Sequence, residues 1–281
     1  MFSHTSLGAS SRTQYETKVT QWELHTNTPI ATLAGNPSES LKKLHAAPIA
    51  QTPTNRHVYL SAMIAYITHV AEDKSTLPVW KELQKENSEP LSEHYASNEP
   101  TANQKNKQMD WDVIHQIREE LPRGMERLLL TLYICMEPIR ADYYATEIVQ
   151  PGEESKEENY IVMSDPPQLV IRDFKTKKKY EKLENTLPQV VADELRASLE
   201  ETPRKYVFVG ENKTPYTRKL FSNWACRALT RVLKQPMTLT VLRHLYISQK
   251  VKEETPLQEM KVVAKKMGHS REMQRGYDWS K

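Results

Sequence analysis

A polar stretch near the middle of the chain divides it into two parts. Residues 96–109, ASNEPTANQKNKQM, show no apolar periodicity of either helical or strand spacing. This composition is typical of a linker. A chain of 281 residues is long enough for two ordinary domains. We therefore expect one domain over residues 12–95 and a second over residues 110–281.

The first part predicts a small helical bundle. Its clearest segment, TPTNRHVYLSAMIAYITHVA, repeats apolar residues at helical spacing between Val58 and Val70. A second helix, LPVWKELQKENSEPLSEHYAS, is expected to break or kink near Pro90, because proline lacks the N–H that an interior helical position donates. Residues 1–11 are small and polar, which predicts a disordered N-terminus.

The second part predicts a mainly helical domain with a small sheet. Three short strands are expected at NYIVM, QLVIRDF and KKYEKLENTLP, with turn signals between them. Amphipathic helices follow, including TRKLFSNWACRALTRVLK, where Leu220, Trp224, Ala228 and Val232 recur on one face. The predicted fold class is mainly α with a small antiparallel β-sheet, of the α+β type.

Composition excludes several classes of protein. The chain has only two cysteines, far apart, which argues against a disulfide framework or a zinc cluster. No apolar run approaches the roughly 18 residues that a membrane span needs, and the N-terminus lacks the apolar region of a secretory signal. We expect an intracellular protein with no membrane partner.

Charge is balanced overall but unevenly distributed. The net charge is +3, yet Glu211 is the only acid among the many basic residues between Arg204 and Lys234. A second basic cluster lies in FKTKKKYEK. Such clusters suit a surface that faces phosphates, and they are equally common on solvated faces.

Four segments of the second part supply a set of groups suited to phosphate chemistry. They are EPIRADYY, RDFKTKKKY, TLTVLRHLYIS and MGHSREMQRGYDW. Breaking a phosphodiester without a metal needs a nucleophile, cations on the non-bridging oxygens, and an acid for the leaving oxygen. Tyr277 can be the nucleophile, Arg140 and Arg243 can bind phosphate, a lysine can donate the proton, and His269 can support the phosphate or the tyrosine.

These segments resemble the tyrosine recombinases, the integrase-like enzymes of phages, viruses and mobile elements. The L-R-H of residues 242–244, the G-H of residues 268–269 and Tyr277 match the boxes of that family in order. PIRAD resembles the first arginine box. FKTK resembles the hairpin lysine pair, which assigns the lysine role to Lys175 with Lys177 as the alternative. The resemblance covers residues 110–281, and residues 12–95 resemble the family's helical core-binding domain without a diagnostic motif.

The resemblance implies a site-specific recombinase or integrase that cleaves and rejoins DNA through a 3′-phosphotyrosyl intermediate. It implies double-stranded DNA as the partner, a homotetramer on two DNA sites with a dimer on each, and no metal, ATP or other cofactor. The compartment would be the nucleus or a viral factory for a eukaryotic virus or element, and the cytoplasm for a bacterium or phage.

One position departs from the family pattern. Thr240 stands where the family usually has histidine, and a hydroxyl cannot carry a proton at neutral pH as imidazole can. This departure keeps a catalytically impaired DNA-binding protein of the same fold as an alternative. A type IB topoisomerase-like or telomere-resolving enzyme is a further alternative. The neighbouring His244 is expected to pack inside the domain or to bond a backbone group.

We also expect DNA contacts outside the catalytic set. Lys177 lies in the hairpin segment. The helix TRKLFSNWACRALTRVLK repeats polar residues every four positions, opposite its apolar face: Lys219, Asn223, Arg227 and Arg231. The same residues could instead form a solvated outer face. Trp279, close to the end of the sequence, is a candidate for contact with a neighbouring protomer.

Overall fold

The computed structural model describes residues 1–97 and 99–279. It divides the chain into two compact units, Met1–Ser97 and Asn98–Lys281. The boundary lies within the polar stretch at residues 96–109. The irregular connection between the units is shorter than expected, because helices occupy part of this stretch. A helix runs into it as far as Ser97, and Ala102–Lys105 forms one helical turn.

The first unit is helical throughout its described residues. Its elements are α1 (Ala9–Thr26), α2 (Ile30–Gly35), α3 (Pro37–Ala46), a 3₁₀ turn (Pro48–Ala50), α4 (Pro53–His69) and α5 (Leu77–Ser97). Trp22, Tyr59 and Trp80 are fully or almost fully buried at its centre. Both tryptophans pack edge-on, with ring centroids 5.8 Å apart, which is a favourable aromatic geometry.

The expected disorder of residues 1–11 is wrong. Helix α1 begins at Ala9, and Phe2 is fully buried beside Tyr15. The Phe2 N–H donates to a Glu16 carboxylate oxygen at 3.0 Å. Phe2 and Leu7 pack against the bundle, and the Met1 ammonium pairs with Glu16, so the N-terminus is attached at several points.

Of the expected break or kink at Pro90, the break is wrong, because α5 continues through Pro90. Proline removes one helical hydrogen bond, but side chains one to two turns earlier attach α5 to α4. Asn87 donates to the Pro53 carbonyl at 2.9 Å, and Gln84 donates to the Ser61 hydroxyl at 2.7 Å.

The second unit combines helices with one small sheet. Its helices are α6 (Ala102–Lys105), α7 (Trp111–Glu120), α8 (Met125–Ile134), α9 (Lys177–Tyr180), α10 (Gln189–Glu201), α11 (Arg218–Leu233), α12 (Leu239–Lys252), α13 (Leu257–Lys266) and α14 (Arg271–Arg275). Its strands are β1 (Glu147–Val149), β2 (Asn159–Val162), β3 (Gln168–Ile171) and β4 (Leu183–Thr186). Among the described residues, no helix is both long and apolar enough to cross a membrane.

The predicted fold class is confirmed, with one correction to the sheet. The strand order is β1-β2-β3-β4, in which β2, β3 and β4 pair antiparallel as expected. The additional strand β1 pairs parallel with β2, so the sheet is mixed rather than antiparallel. Strand β1 has only three residues, which is too short for an alternating pattern to be recognised in the sequence.

Helix α8 forms the centre of the second core. Its residues from Leu128 to Ile134 are all buried, as expected for a helix that is surrounded on every side. Helix α11 buries Phe221, Ala225, Ala228, Leu229 and Leu233 against this core.

The apolar face of α11 differs from the predicted one by about one residue position. Leu220, expected inside, is 55% exposed, while Phe221 is fully buried. In the sequence, apolar residues recur every four positions from Leu220 and also from Phe221. Spacing alone therefore could not show which of the two series is buried. Phe208 packs against both series, with its ring centroid 5.2 Å from those of Phe221 and Trp224.

Candidate active site

Helix α12 places two of the predicted residues side by side. The Thr238 hydroxyl caps the helix by accepting from the Val241 N–H at 3.2 Å, a geometry that sets where the helix begins. Arg243 lies in the next turn and points inward, with 2% of the residue exposed. Thr240 lies one turn before Arg243 on the same helix and is exposed.

A glycine turn between α13 and α14 brings in His269. Gly268 has a φ of +71°, and an added β-carbon would lie 3.2 Å from a Leu183 side-chain carbon. The left-handed conformation favours glycine, and any added side chain would also have to displace Leu183 slightly. The turn directs His269 into the interior, where it is almost fully buried.

The guanidinium of Arg243 connects three separate segments. Its Nε donates to the Pro138 carbonyl at 3.1 Å, and its Nη1 donates to the Tyr277 hydroxyl oxygen at 2.9 Å. Its Nη2 lies 3.1 Å from Nδ1 of His269. The guanidinium carbon is also 4.7 Å from the centre of the Tyr277 ring. The structure thus places Arg243, His269 and Tyr277 in direct contact.

The contact with Arg243 defines the protonation state of His269. Arginine can only donate, so Nδ1 must accept and the ring proton lies on Nε2. Burial, followed by the charges of Arg243 and Arg140, lowers the pKa of His269 to about 3. His269 is therefore neutral at physiological pH. Its Nε2 is buried and has no hydrogen-bond partner within the described residues, so it is a donor available for an anion.

Arg140 lies at the edge of this cluster and is partly exposed. Its charge contributes to lowering the pKa of both Arg243 and His269, which places it within electrostatic range of them. The hydroxyl of Tyr133 donates to the Arg140 carbonyl at 2.6 Å. Together with the bond from Arg243 to Pro138, this contact fixes the segment that carries Arg140.

Lys175 and Thr240 are exposed, and neither side chain has a hydrogen bond or ion pair within the described residues. Lys175 lies in the turn between β3 and β4. The next residue, Thr176, donates from its hydroxyl to the Gly268 carbonyl at 2.7 Å, so the turn packs against the segment that carries His269. Lys177, the alternative lysine, forms an ion pair with Asp173 at 2.9 Å.

Sequence reasoning missed a second network that joins the surrounding segments. Arg218, at the start of α11, pairs with the buried Asp142 and also contacts Asp173. Asn159 donates to the carbonyls of both aspartates. The network links the segment after Arg140 to the segment before Lys175. No spacing rule in the sequence joins these residues.

The expectation for His244 is confirmed. Its Nδ1 lies 3.1 Å from the Tyr277 carbonyl oxygen, and its ring stacks on Trp279 with centroids 3.9 Å apart. Trp279 is buried within its own chain, which leaves little of its side chain exposed for contact with a neighbouring protomer. Sequence reasoning did not predict that both residues pack around Tyr277.

The predicted DNA-contact residues on α11 lie on its outer face. Lys219, Asn223 and Arg227 are exposed. Arg231 is exposed too, but it pairs with Glu126 of α8. Among the described residues there is no group of three or more side chains that could hold a metal ion.

Comparison with known proteins defines the fold. No family model and no curated protein matches the sequence. Among solved structures, a lambda integrase dimer bound to a COC′ core site is similar at a TM-score of 0.50 and 13% identity, over 99% of this chain and 74% of that one. The chain has the fold of the tyrosine recombinases. The crystal structure of XerA recombinase also matches, at a TM-score of 0.45 and 11% identity, over 97% of this chain and 88% of that one.

Proposed function

We propose that this protein cleaves and rejoins DNA strands, with Tyr277 as the nucleophile that forms a 3′-phosphotyrosyl link. The observation that carries the proposal is the contact of Tyr277 and His269 with one buried guanidinium, that of Arg243. A nucleophile bonded to the cation that would bind the phosphate is already close to the reacting geometry. The recombinase fold supports the same assignment.

In the cleavage step, the Tyr277 oxygen attacks the phosphorus of the scissile phosphate. The phenolic proton goes to solvent, and the bond to the 5′-oxygen breaks. Arg243 and Arg140 bind the non-bridging oxygens, where negative charge increases. His269 donates from Nε2 to the same phosphate, because its neutral ring carries the proton there.

Lys175 supplies the proton that the leaving 5′-oxygen needs. His269 cannot do so, because its depressed pKa leaves no second proton on the ring. Lys177 is engaged by Asp173, which favours Lys175 for this role. In the reverse step a 5′-hydroxyl loses its proton to Lys175 and attacks the phosphorus. The bond from phosphorus to the Tyr277 oxygen breaks, and the phenol regains its proton from solvent. The bond energy is retained in the covalent link, so resealing needs no ATP.

The proposed partner is double-stranded DNA, contacted by the outer face of α11. Lys219, Asn223 and Arg227 combine phosphate-binding cations with an amide that can pair with a base edge. Residues 12–95 would bind DNA as well, and strand exchange between two sites would use a homotetramer. Both of these assignments follow from the resemblance to recombinases.

If the outer face of α11 binds DNA, substitutions of Arg227 and Arg231, one turn apart, should differ in their effect on DNA binding. Arg227→Glu should weaken binding and reduce the salt slope by about 1 for each phosphate that the variant no longer binds. Arg231→Glu should have a smaller effect, because Arg231 is already paired with Glu126. Binding would be measured by fluorescence anisotropy across a salt series. Equal slopes for wild type and Arg227→Glu would contradict the assignment.

The central test uses a nicked suicide substrate, from which the cleaved end diffuses away so that cleavage cannot be reversed. The target site is not defined by the structure, so the DNA is a pool from the ends of the element that encodes the protein. Wild type should give a protein–DNA band that survives SDS without added metal. Tyr277→Phe, which removes only the hydroxyl, should give no such band while it retains DNA binding.

A second candidate is a DNA-binding protein that has the fold but not the activity. Thr240 is the observation that favours it, because a hydroxyl takes the place of the family's usual histidine. Clear DNA binding by wild type without any covalent band on the whole pool would favour this second candidate. Relaxation of supercoiled DNA that lacks a special site would instead indicate a topoisomerase.

A further inference from the structure

A single helix holds the segment of the proposed nucleophile at three points. Arg243 of α12 donates to the Tyr277 hydroxyl oxygen at 2.9 Å. One residue later, His244 contacts the Tyr277 carbonyl oxygen through Nδ1 at 3.1 Å. One turn further, the Ser248 hydroxyl accepts from the Trp279 N–H at 2.6 Å. The side chain of the tyrosine and the backbone after it are thus attached to the same rigid element.

The contact between His244 and Tyr277 has a defined direction. A carbonyl oxygen only accepts, so Nδ1 of His244 carries the proton and donates it. Burial, opposed by this hydrogen bond, lowers the pKa of His244 to about 4. The imidazole is therefore neutral near pH 7 and keeps its donor on the tyrosine backbone.

Trp279 completes the arrangement from the other side. Its ring lies almost parallel to that of His244, with an interplanar angle of 9° and centroids 3.9 Å apart. Both residues are buried to about the same degree. The indole therefore fixes the imidazole plane and shields its bond to Tyr277 from water, which makes that bond stronger.

The tyrosine segment has little regular structure of its own to fix it. Helix α14 ends at Arg275 after five residues, and Tyr277 bonds back to Gln274 through its backbone N–H at 2.9 Å. An attacking oxygen must be held within a fraction of an ångström, and a displacement of about 1 Å can reduce the rate about 100-fold.

We propose that His244 and Trp279 are positioning residues, which hold the backbone of Tyr277 so that its phenol oxygen stays on Arg243. The inference rests on the proposed function and adds to it. Neither side chain touches the phosphate. Each acts through Tyr277, so their removal should slow the covalent step and leave DNA affinity unchanged.

The opposite role would use the same contacts. Tyr277 covers Arg243, which is 2% exposed, so a segment that held the tyrosine there too firmly would block the phosphate. In that case, removing the Trp279 side chain would free Tyr277 to move off Arg243, and the cleavage rate would rise. The sign of the rate change therefore separates positioning from inhibition.

The experiment compares Trp279→Ala with Trp279→Phe, which keeps a flat ring, and with His244→Asn, whose amide can still donate. Single-turnover formation of the covalent adduct, DNA affinity and thermal stability are measured for each. We expect Trp279→Ala to lower the rate by about 10- to 100-fold, with affinity unchanged and most of the rate restored in Trp279→Phe. An Ala variant that cleaves as fast as wild type, or faster, overturns the proposal.

Amide hydrogen exchange tests the same proposal without any activity. The amides of residues 276–279 should exchange faster in Trp279→Ala than in wild type, and at nearly the wild-type rate in Trp279→Phe. Unchanged exchange in Trp279→Ala overturns the positioning role. Absence of an adduct from wild type would instead contradict the proposed function. The exchange data would still show whether Trp279 restrains the backbone of residues 276–279.

Discussion

The proposed site has two halves that the fold treats differently. Arg243, His269 and Tyr277 contact one another, and Arg243 and His269 are buried. Lys175 and Thr240 are exposed, without a hydrogen bond or ion pair within the described residues. The first half is assembled by the core of the domain. The second half is left to be arranged when a substrate is bound.

The difference has an energetic consequence. A buried guanidinium is stable only if its donors are satisfied, and here carbonyl, imidazole and phenol all accept from Arg243. Substitutions in the buried half should therefore change folding stability and activity together. Substitutions in the exposed half should change activity alone.

The largest expected effect is that of Arg243→Lys. An ammonium keeps the charge but cannot reach Pro138, His269 and Tyr277 together. We expect adduct formation to fall by about 1,000-fold and the free energy of unfolding to fall by about 3 kcal/mol. Denaturant titration and the suicide substrate measure the two effects. The matched control is Arg227→Lys on the exposed face of α11, for which neither should change much.

Lys175→Ala tests the exposed half. Adduct formation should fall by about 100-fold or more, while the free energy of unfolding stays within about 0.5 kcal/mol of wild type. Lys177→Ala is the matched control, and it should retain the cleavage rate. A substrate whose leaving 5′-oxygen is replaced by sulfur needs no proton, so it should restore cleavage by Lys175→Ala. Failure of that rescue would remove Lys175 from the acid role.

Low pH should lower the free energy of unfolding, because His269 and His244 are buried in their neutral forms. The folded-state pKa values of His269 and His244 are about 3 and about 4, below the usual value of about 6.5. Below about pH 6.5 the unfolded chain therefore binds more protons than the folded chain. The free energy of unfolding decreases as the pH is lowered. Between about pH 7 and pH 5 each histidine should lower the free energy of unfolding by about 1 to 2 kcal/mol.

Denaturant titration at several pH values checks this dependence. His269→Gln and His244→Asn, which do not titrate, should each flatten it. A stability that is constant over the same range would contradict the buried, neutral state of these rings.

The smallest expected effect is that of Thr240→His. The residue is exposed, so a larger side chain should leave stability unchanged. If the imidazole assists proton transfer, adduct formation should rise by roughly 10-fold, at the low end of general acid–base effects. Serine at this position keeps a hydroxyl and serves as the control. A rate that falls in Thr240→His would indicate that the threonine itself contacts the phosphate.

The sequence predicted the order of the candidate residues and the mainly helical fold, because both depend on local patterns. It did not predict strand β1 or the burial of Phe2, which depend on partners distant in the chain. The predicted buried face of α11 was wrong at Leu220, because apolar residues recur every four positions from both Leu220 and Phe221. The contacts of His244 with Tyr277 and Trp279 form only when α12 and the segment after α14 come together, so no motif indicated them.

The most direct test of the central claim is to map the covalent link. Adduct from the suicide substrate is digested with nuclease and then with trypsin, which cleaves after Arg275 and releases residues 276–281. Tyr277 is the only tyrosine in that peptide. Mass spectrometry should find the peptide carrying a nucleotide on Tyr277. A nucleotide on any other residue would contradict the assignment of Tyr277 and of the buried half around it.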